Sequence, residues 1–109
     1  MIDLEELNHV LAGVELVRQL RLGLSPDPYM PDPEYHYDLE LELFSLDNTR
    51  NVELIFRNVG ELVVPAFGGL AQVSMLLVER NYPGHERLYR VSQLEEKLLS
   101  FTCMSVERR

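Results

Sequence analysis

Tyr35-His36-Tyr37-Asp38-Leu39-Glu40-Leu41-Glu42-Leu43 decides the fold of this chain. Tyr35, Tyr37, Leu39, Leu41 and Leu43 alternate strictly with His36, Asp38, Glu40 and Glu42. Successive side chains of a strand point to opposite faces, so the stretch reads as a β-strand with one buried and one wet face. Asp47-Asn48-Thr49-Arg50-Asn51 follows with turn chemistry. Val52, Leu54 and Phe56 then alternate with Glu53, Ile55 and Arg57 on a strand expected to pair back as a hairpin.

Upstream, Ser25-Pro26-Asp27-Pro28-Tyr29-Met30-Pro31-Asp32-Pro33 holds four prolines, which remove backbone donors, so this stretch reads as a loop. Before it, Val14, Leu16, Leu20, Leu22 and Leu24 occupy even positions and Glu15, Gln19, Arg21 and Gly23 odd ones. That is strand periodicity broken only at Val17 and Arg18, although a helical stripe could run on through Val14 and Val17. Asp3 as cap, Glu6 three residues later, and Leu4, Leu7, Val10 and Leu11 on one face predict an N-terminal helix ending at Gly13.

Downstream, Leu62-Val63-Val64 is a short apolar run stopped by Pro65, and Gly68-Gly69 reads as a bend or bulge. Leu70 to Val78 is apolar on both faces, as expected of a central strand. Asn81-Tyr82-Pro83-Gly84 is a turn, and Leu88-Tyr89-Arg90-Val91 the strand returning from it. Ser92-Gln93-Leu94-Glu95 matches a capping box, but Ser100 to Val106 is rich in β formers. A turn near Glu95-Glu96 and a final strand are the favoured reading. The sum is one mainly β domain over residues 1–109: six or seven antiparallel strands in a sandwich or half-open barrel, with one N-terminal helix.

The formal charge of −8 is unevenly spread. Residues 1–54 hold twelve acids and three arginines, whereas residues 55–109 hold six acids and seven bases. Asp27, Asp32, Glu34, Asp38, Glu40 and Glu42 succeed one another with no intervening lysine or arginine. Such a surface repels phosphate backbones and attracts basic protein surfaces, so nucleic acid is not an expected partner. No stretch approaches the about 20 apolar residues that cross a bilayer, and the N-terminus is acidic where a leader would be basic. With Cys103 as the single cysteine, a cytoplasmic location is expected, and no membrane partner.

No nucleophile elbow, phosphate loop or paired metal-ligand spacing occurs. Cys103 sits in an apolar run, where a buried, inert thiol is the ordinary outcome. His36, Asp38, Glu40 and Glu42 share one strand face, but adjacent ones lie about 6.5–7 Å apart, too far to grip one ion unaided. No cofactor, metal or catalytic residue is expected. The sequence points instead to a partner-binding segment made of Asp27, Tyr29, Met30, Asp32, Glu34, Asp38, Glu40 and Glu42, with acid for steering and apolar groups for affinity. Arg80, Arg87 and Arg90 form a second, basic patch around the Asn81–Glu86 turn.

The order of features also resembles a known group. An acidic hairpin leads to Gly68-Gly69, a two-faced apolar strand, a Pro83-Gly84 turn, Tyr89-Arg90-Val91, Glu95-Glu96 and Leu99-Ser100-Phe101-Thr102-Cys103. Over the last two-thirds of the chain this resembles small β-rich bacterial proteins of unassigned function, some of them similar to immunity proteins. The resemblance implies a protein that binds another protein, for instance a basic toxin. The alternative expectation is a small-molecule or metal-binding barrel, with an enzymatic site assembled from several strands. A third is a subunit that associates with copies of itself through sheet edges.

Overall fold

The computed structural model describes residues 3–26, 35–64, 76–93 and 99–109. Helix α1 spans Leu4–Leu11. Among the described residues seven strands follow: β1 (Leu16–Pro26), β2 (Tyr35–Phe44), β3 (Asn51–Val63), β4 (Leu76–Arg80), β5 (Tyr89–Gln93), β6 (Ser100–Cys103) and β7 (Ser105–Arg108). They form one antiparallel sheet in the order β1-β2-β3-β6-β5-β4, with β7 pairing β3. The sheet does not close into a barrel.

The helix starts where Asp3 Oδ1 accepts the free N–H groups of Glu5 (3.0 Å) and Glu6 (3.2 Å). Eight residues make a marginal helix alone, so packing must hold it. Leu7 and Leu11 supply that packing by joining Leu39, Leu41, Leu43, Phe56, Val78, Val91 and Phe101 in a single core. At its centre Phe56 meets Phe101 edge to face, with ring centroids 4.8 Å apart.

The break in alternation at Val17 and Arg18 has a structural cause. Leu16 and Val17 pair with Phe44 and Leu43, but Gln19 pairs with Glu42, leaving Arg18 as the extra residue of a β-bulge. Beyond it the ladder is regular from Gln19↔Glu42 to Pro26↔Tyr35.

Strand β3 is where the sheet changes direction. The sequence suggests two runs, Val52–Phe56 and Leu62–Val64, but 51–63 is one strand that pairs β2 and β7 first and β6 later. Between the halves, Asn58 and Glu61 adopt left-handed φ of 53°. Gly60 lies close under the Arg87 guanidinium: an added Cβ would fall 2.4 Å from it. Arg87 Nε donates to the Asn58 carbonyl (3.1 Å), which ties the bend to the β4–β5 turn. Opposite the bend, β6 and β7 are one segment interrupted at Met104, whose N–H donates to the Arg57 carbonyl (2.9 Å).

One expectation is corrected, and the favoured C-terminal strand is found. Gly68-Gly69 and residues 70–75 lie outside the described residues, but Leu76–Arg80 is, among the described strands, the last of the sheet and not a central one. Helix α1 packs against it, and Leu76 and Val78 are buried while Glu79 and Arg80 are exposed. The C-terminal ambiguity resolves toward strand over 100–103 and 105–108, with 94–98 outside the described residues.

Candidate functional site: the end of the β1–β2 hairpin

Asp27, Tyr29, Met30, Asp32 and Glu34 lie outside the described residues. The structure does place Asp38, Glu40 and Glu42, and it brings each to cations that the acidic stretch itself lacks. Arg21 lies opposite Glu40 in the ladder, with their charged groups 3.8 Å apart, and Arg109 reaches Glu40 at 3.5 Å. Arg18, turned out by the bulge, meets Glu42 at 3.3 Å, donates to Asn48 Oδ1 at 2.8 Å and covers the Phe44 ring at 4.5 Å. The face carrying Glu40 and Glu42 is thus a mixed-charge lattice around the buried Ile55. A shallow concavity of about 210 Å³ lies over it, bordered by Gln19, Arg21, Glu40, Glu42, Glu53 and Arg109.

Asp38 departs furthest from expectation. It belongs to the strand face read as wet, yet only 6% of it is exposed. The cause lies in the ladder. Leu39 pairs with Phe56 and Tyr37 with Val59, so β3 carries one residue too many between them, and the bulge sets the Asn58 N–H opposite Asp38. Asp38 Oδ1 accepts that N–H (3.1 Å), while Oδ2 accepts from the Arg57 guanidinium (2.9 Å). His36 Nε2 lies 3.3 Å from the same carboxylate. Burial alone would raise the Asp38 pKa. Hydrogen bonds from Arg57, Asn58 and Ser25, helped by the nearby His36, outweigh it and hold the carboxyl below its ordinary range. Arg57 is held in turn by Glu107 at 3.0 Å, and its own pKa is raised, first by Asp38. Asp38 is a clasp on the bend of β3.

The opposite face of the hairpin shows what the alternation does not reveal. Leu39, Leu41 and Leu43 are buried as expected, but Tyr35 and Tyr37 on the same face are 60% and 50% exposed. Leu24, which pairs with Tyr37, is 58% exposed, and Leu22, which pairs with the buried Leu39, is 44% exposed. The reason is the same bend. After Val59, β3 turns toward β6 and leaves β1 and β2 running on as a two-stranded ribbon with no further strand of the described residues beside it. Leu22, Leu24, Tyr35 and Tyr37 form a continuous apolar surface at the root of the acidic 27–34 segment. The sequence does contain the signal: an apolar stripe longer than one core can cover, ending at a proline-rich loop.

The second patch of basic residues is dispersed. Arg87 is committed to Asn58 and Glu86, and Arg80 lies 5.6 Å from the Tyr89 ring. Cys103 is fully buried, and burial pushes its thiol up to about 12, with Arg87 opposing, so little thiolate exists at neutral pH. Among the described residues no group of three or more histidines, cysteines or acids is arranged to hold a metal ion, and no helix is long and apolar enough to cross a membrane.

Comparison with known proteins gives no match: no family model, no curated protein and no solved structure is significantly similar.

Proposed function

We propose that this chain is a non-enzymatic protein-binding module that engages a basic partner surface through the end of its β1–β2 hairpin. The observation that carries the reading is the half-exposed apolar surface of Leu22, Leu24, Tyr35 and Tyr37, contiguous with the acid-rich sequence Asp27–Glu34. Acid accelerates encounter with a basic surface, and desolvated aromatic and aliphatic groups supply affinity. An immunity-type inhibitor of a basic toxin is the specific form that the sequence resemblance suggests. A buried lone thiol fits a reducing compartment such as the bacterial cytoplasm.

The structure changes which residues a test should touch. Replacing Asp38 would damage the fold, and Glu40 and Glu42 are already paired. The informative baits are wild type, Leu24→Ser/Tyr37→Ser, and Asp27→Asn/Asp32→Asn/Glu34→Gln, presented to source lysate at low and moderate salt. One protein held by wild type, lost with the first variant and weakened by salt or by the second variant, is the expected result. Retention indifferent to both variants would overturn the reading.

A further inference from the structure

The two outer strands of the sheet end differently, and the free one has a self-complementary sequence. We propose that two copies of this chain associate by antiparallel pairing of their β1 edges, centred on Leu22. This concerns the edge of the hairpin, whereas partner binding concerns its face, so either can fail without the other.

Among the described residues β1 pairs only with β2, which leaves its other side as a row of unpaired backbone donors and acceptors. The regular part of that edge is bounded by the Arg18 bulge and by Pro26, which has no N–H to donate. What remains is Gln19–Ser25, and its midpoint is Leu22. Pairing about that midpoint sets Leu20 opposite Leu24 of the second copy, Leu22 opposite Leu22, and Arg21 opposite Gly23. The apolar stripe of one copy thereby continues into the other, and the leucines left half-exposed in one chain gain apolar neighbours.

Charge and shape agree with this register. A Cβ built on Gly23 meets nothing within 4 Å, so open space lies where the Arg21 side chain of the second copy arrives. Within one copy Gly23 faces Asp38 and Arg21 faces Glu40, so acids of β2 lie one strand away from the incoming arginine. No two like charges oppose each other in the pairing. Seven residues of edge and a few apolar side chains per copy make a small interface, so dissociation in the range of about 1–100 µM is expected.

Sedimentation equilibrium of the wild-type chain from about 1 to 500 µM is the first measurement, a range chosen to span that expectation. A mass rising from 12.6 kDa toward twice that value is expected. Gly23→Arg sets arginine against Arg21 of the second copy in space that is empty in the monomer. It is expected to weaken association at least tenfold while leaving the thermal midpoint within about 3 °C of wild type. Leu22→Cys tests the register, because opposed Cβ atoms about 4.5–5.5 Å apart can be oxidised to a disulfide. Cysteine at position 20 or 24 would lie about 13 Å from its own copy and should not cross-link. A wild type that stays monomeric throughout overturns the proposal. So does a dimer that ignores Gly23→Arg, or one that cross-links through position 20 or 24 and not 22. Capture of a partner by a strictly monomeric chain would overturn the dimer and leave the binding module standing.

Discussion

The outer strands of the sheet among the described residues, β4 and β1, pose the same physical problem and meet it in opposite ways. On β4, Asn8 of helix α1 stands in for a missing strand: its Nδ2 donates to the Val78 carbonyl (2.8 Å) and its Oδ1 accepts the Val78 N–H (2.8 Å). A side-chain amide carries the same donor and acceptor as a peptide group, so one asparagine satisfies both backbone atoms of the residue it faces. Val78 beneath it is almost fully buried. Among the described residues strand β1 has no such cover, and its outer leucines Leu22 and Leu24 stay about half exposed. One edge is closed into the fold, and the other is left open with apolar side chains beside it. That difference separates the structural end of the molecule from the end available to other molecules.

The contrast predicts a gradient of mutational cost along one hairpin. Leu41→Ala, at the buried root, should lower the unfolding free energy by about 3 kcal/mol, whereas Leu24→Ala on the same stripe should cost under about 0.5 kcal/mol. Urea titrations of the two variants side by side would expose any hidden packing on Leu24. At the closed edge, Asn8→Ala removes both bonds to Val78 and leaves its backbone groups without a partner, a loss of about 2 kcal/mol. Faster hydrogen exchange at the Val78 amide should accompany it.

Asp38 gives an intermediate effect with a pH signature. Asp38→Asn keeps the shape but weakens the hold on Arg57 and the Asn58 N–H, for a cost of about 1–2 kcal/mol at pH 7 once the exposure of Arg57 is discounted. The folded-state pKa of Asp38 lies below its unfolded value. Its contribution is therefore present above about pH 4 and is lost as pH falls through the folded value. The difference between wild type and Asp38→Asn should accordingly shrink below about pH 4 in urea titrations at stepped pH. Asp47, held down to about 2 by bonds from Ser45 and Thr49, weakens the turn in the same acid range, so the two variants must be compared at matched pH. The smallest effect belongs to the open edge: Gly23→Ala should change stability by less than about 0.5 kcal/mol, since its new methyl meets nothing.

Much of this architecture is legible in local patterning. Alternation over 35–43 gives β2, the cap and stripe of 3–11 give α1, and the irregularity at Val17-Arg18 is a bulge seen in one dimension. What local patterning does not carry is which strands sit beside which. The acids Glu40 and Glu42 look unopposed in sequence because their cations come from β1 and from Arg109, far along the chain. Asp38 looks solvated because alternation assigns a face, whereas burial depends on a bulge in another strand. Tyr35 and Tyr37 look like core for the same reason: a stripe declares apolar character and leaves open whether anything lies above it. The exposed end of the hairpin emerges only once β3 is seen to bend away.

Strand β3 also bears on how the chain comes together in time. Its partners in β6 and β7 lie between 37 and 54 residues further on, whereas β2 to β3 and β4 to β5 are joined locally. Loop-closure entropy favours the local hairpins early and the 100–108 segment late. That segment acts as a zipper between two preformed ribbons, and it brings Phe101 to Phe56 as it closes. Until it docks, the free flank of β3 is a second open edge. The rate at which the molecule folds, and the interval in which it is most prone to aggregate, are therefore set by the arrival of one nine-residue stretch.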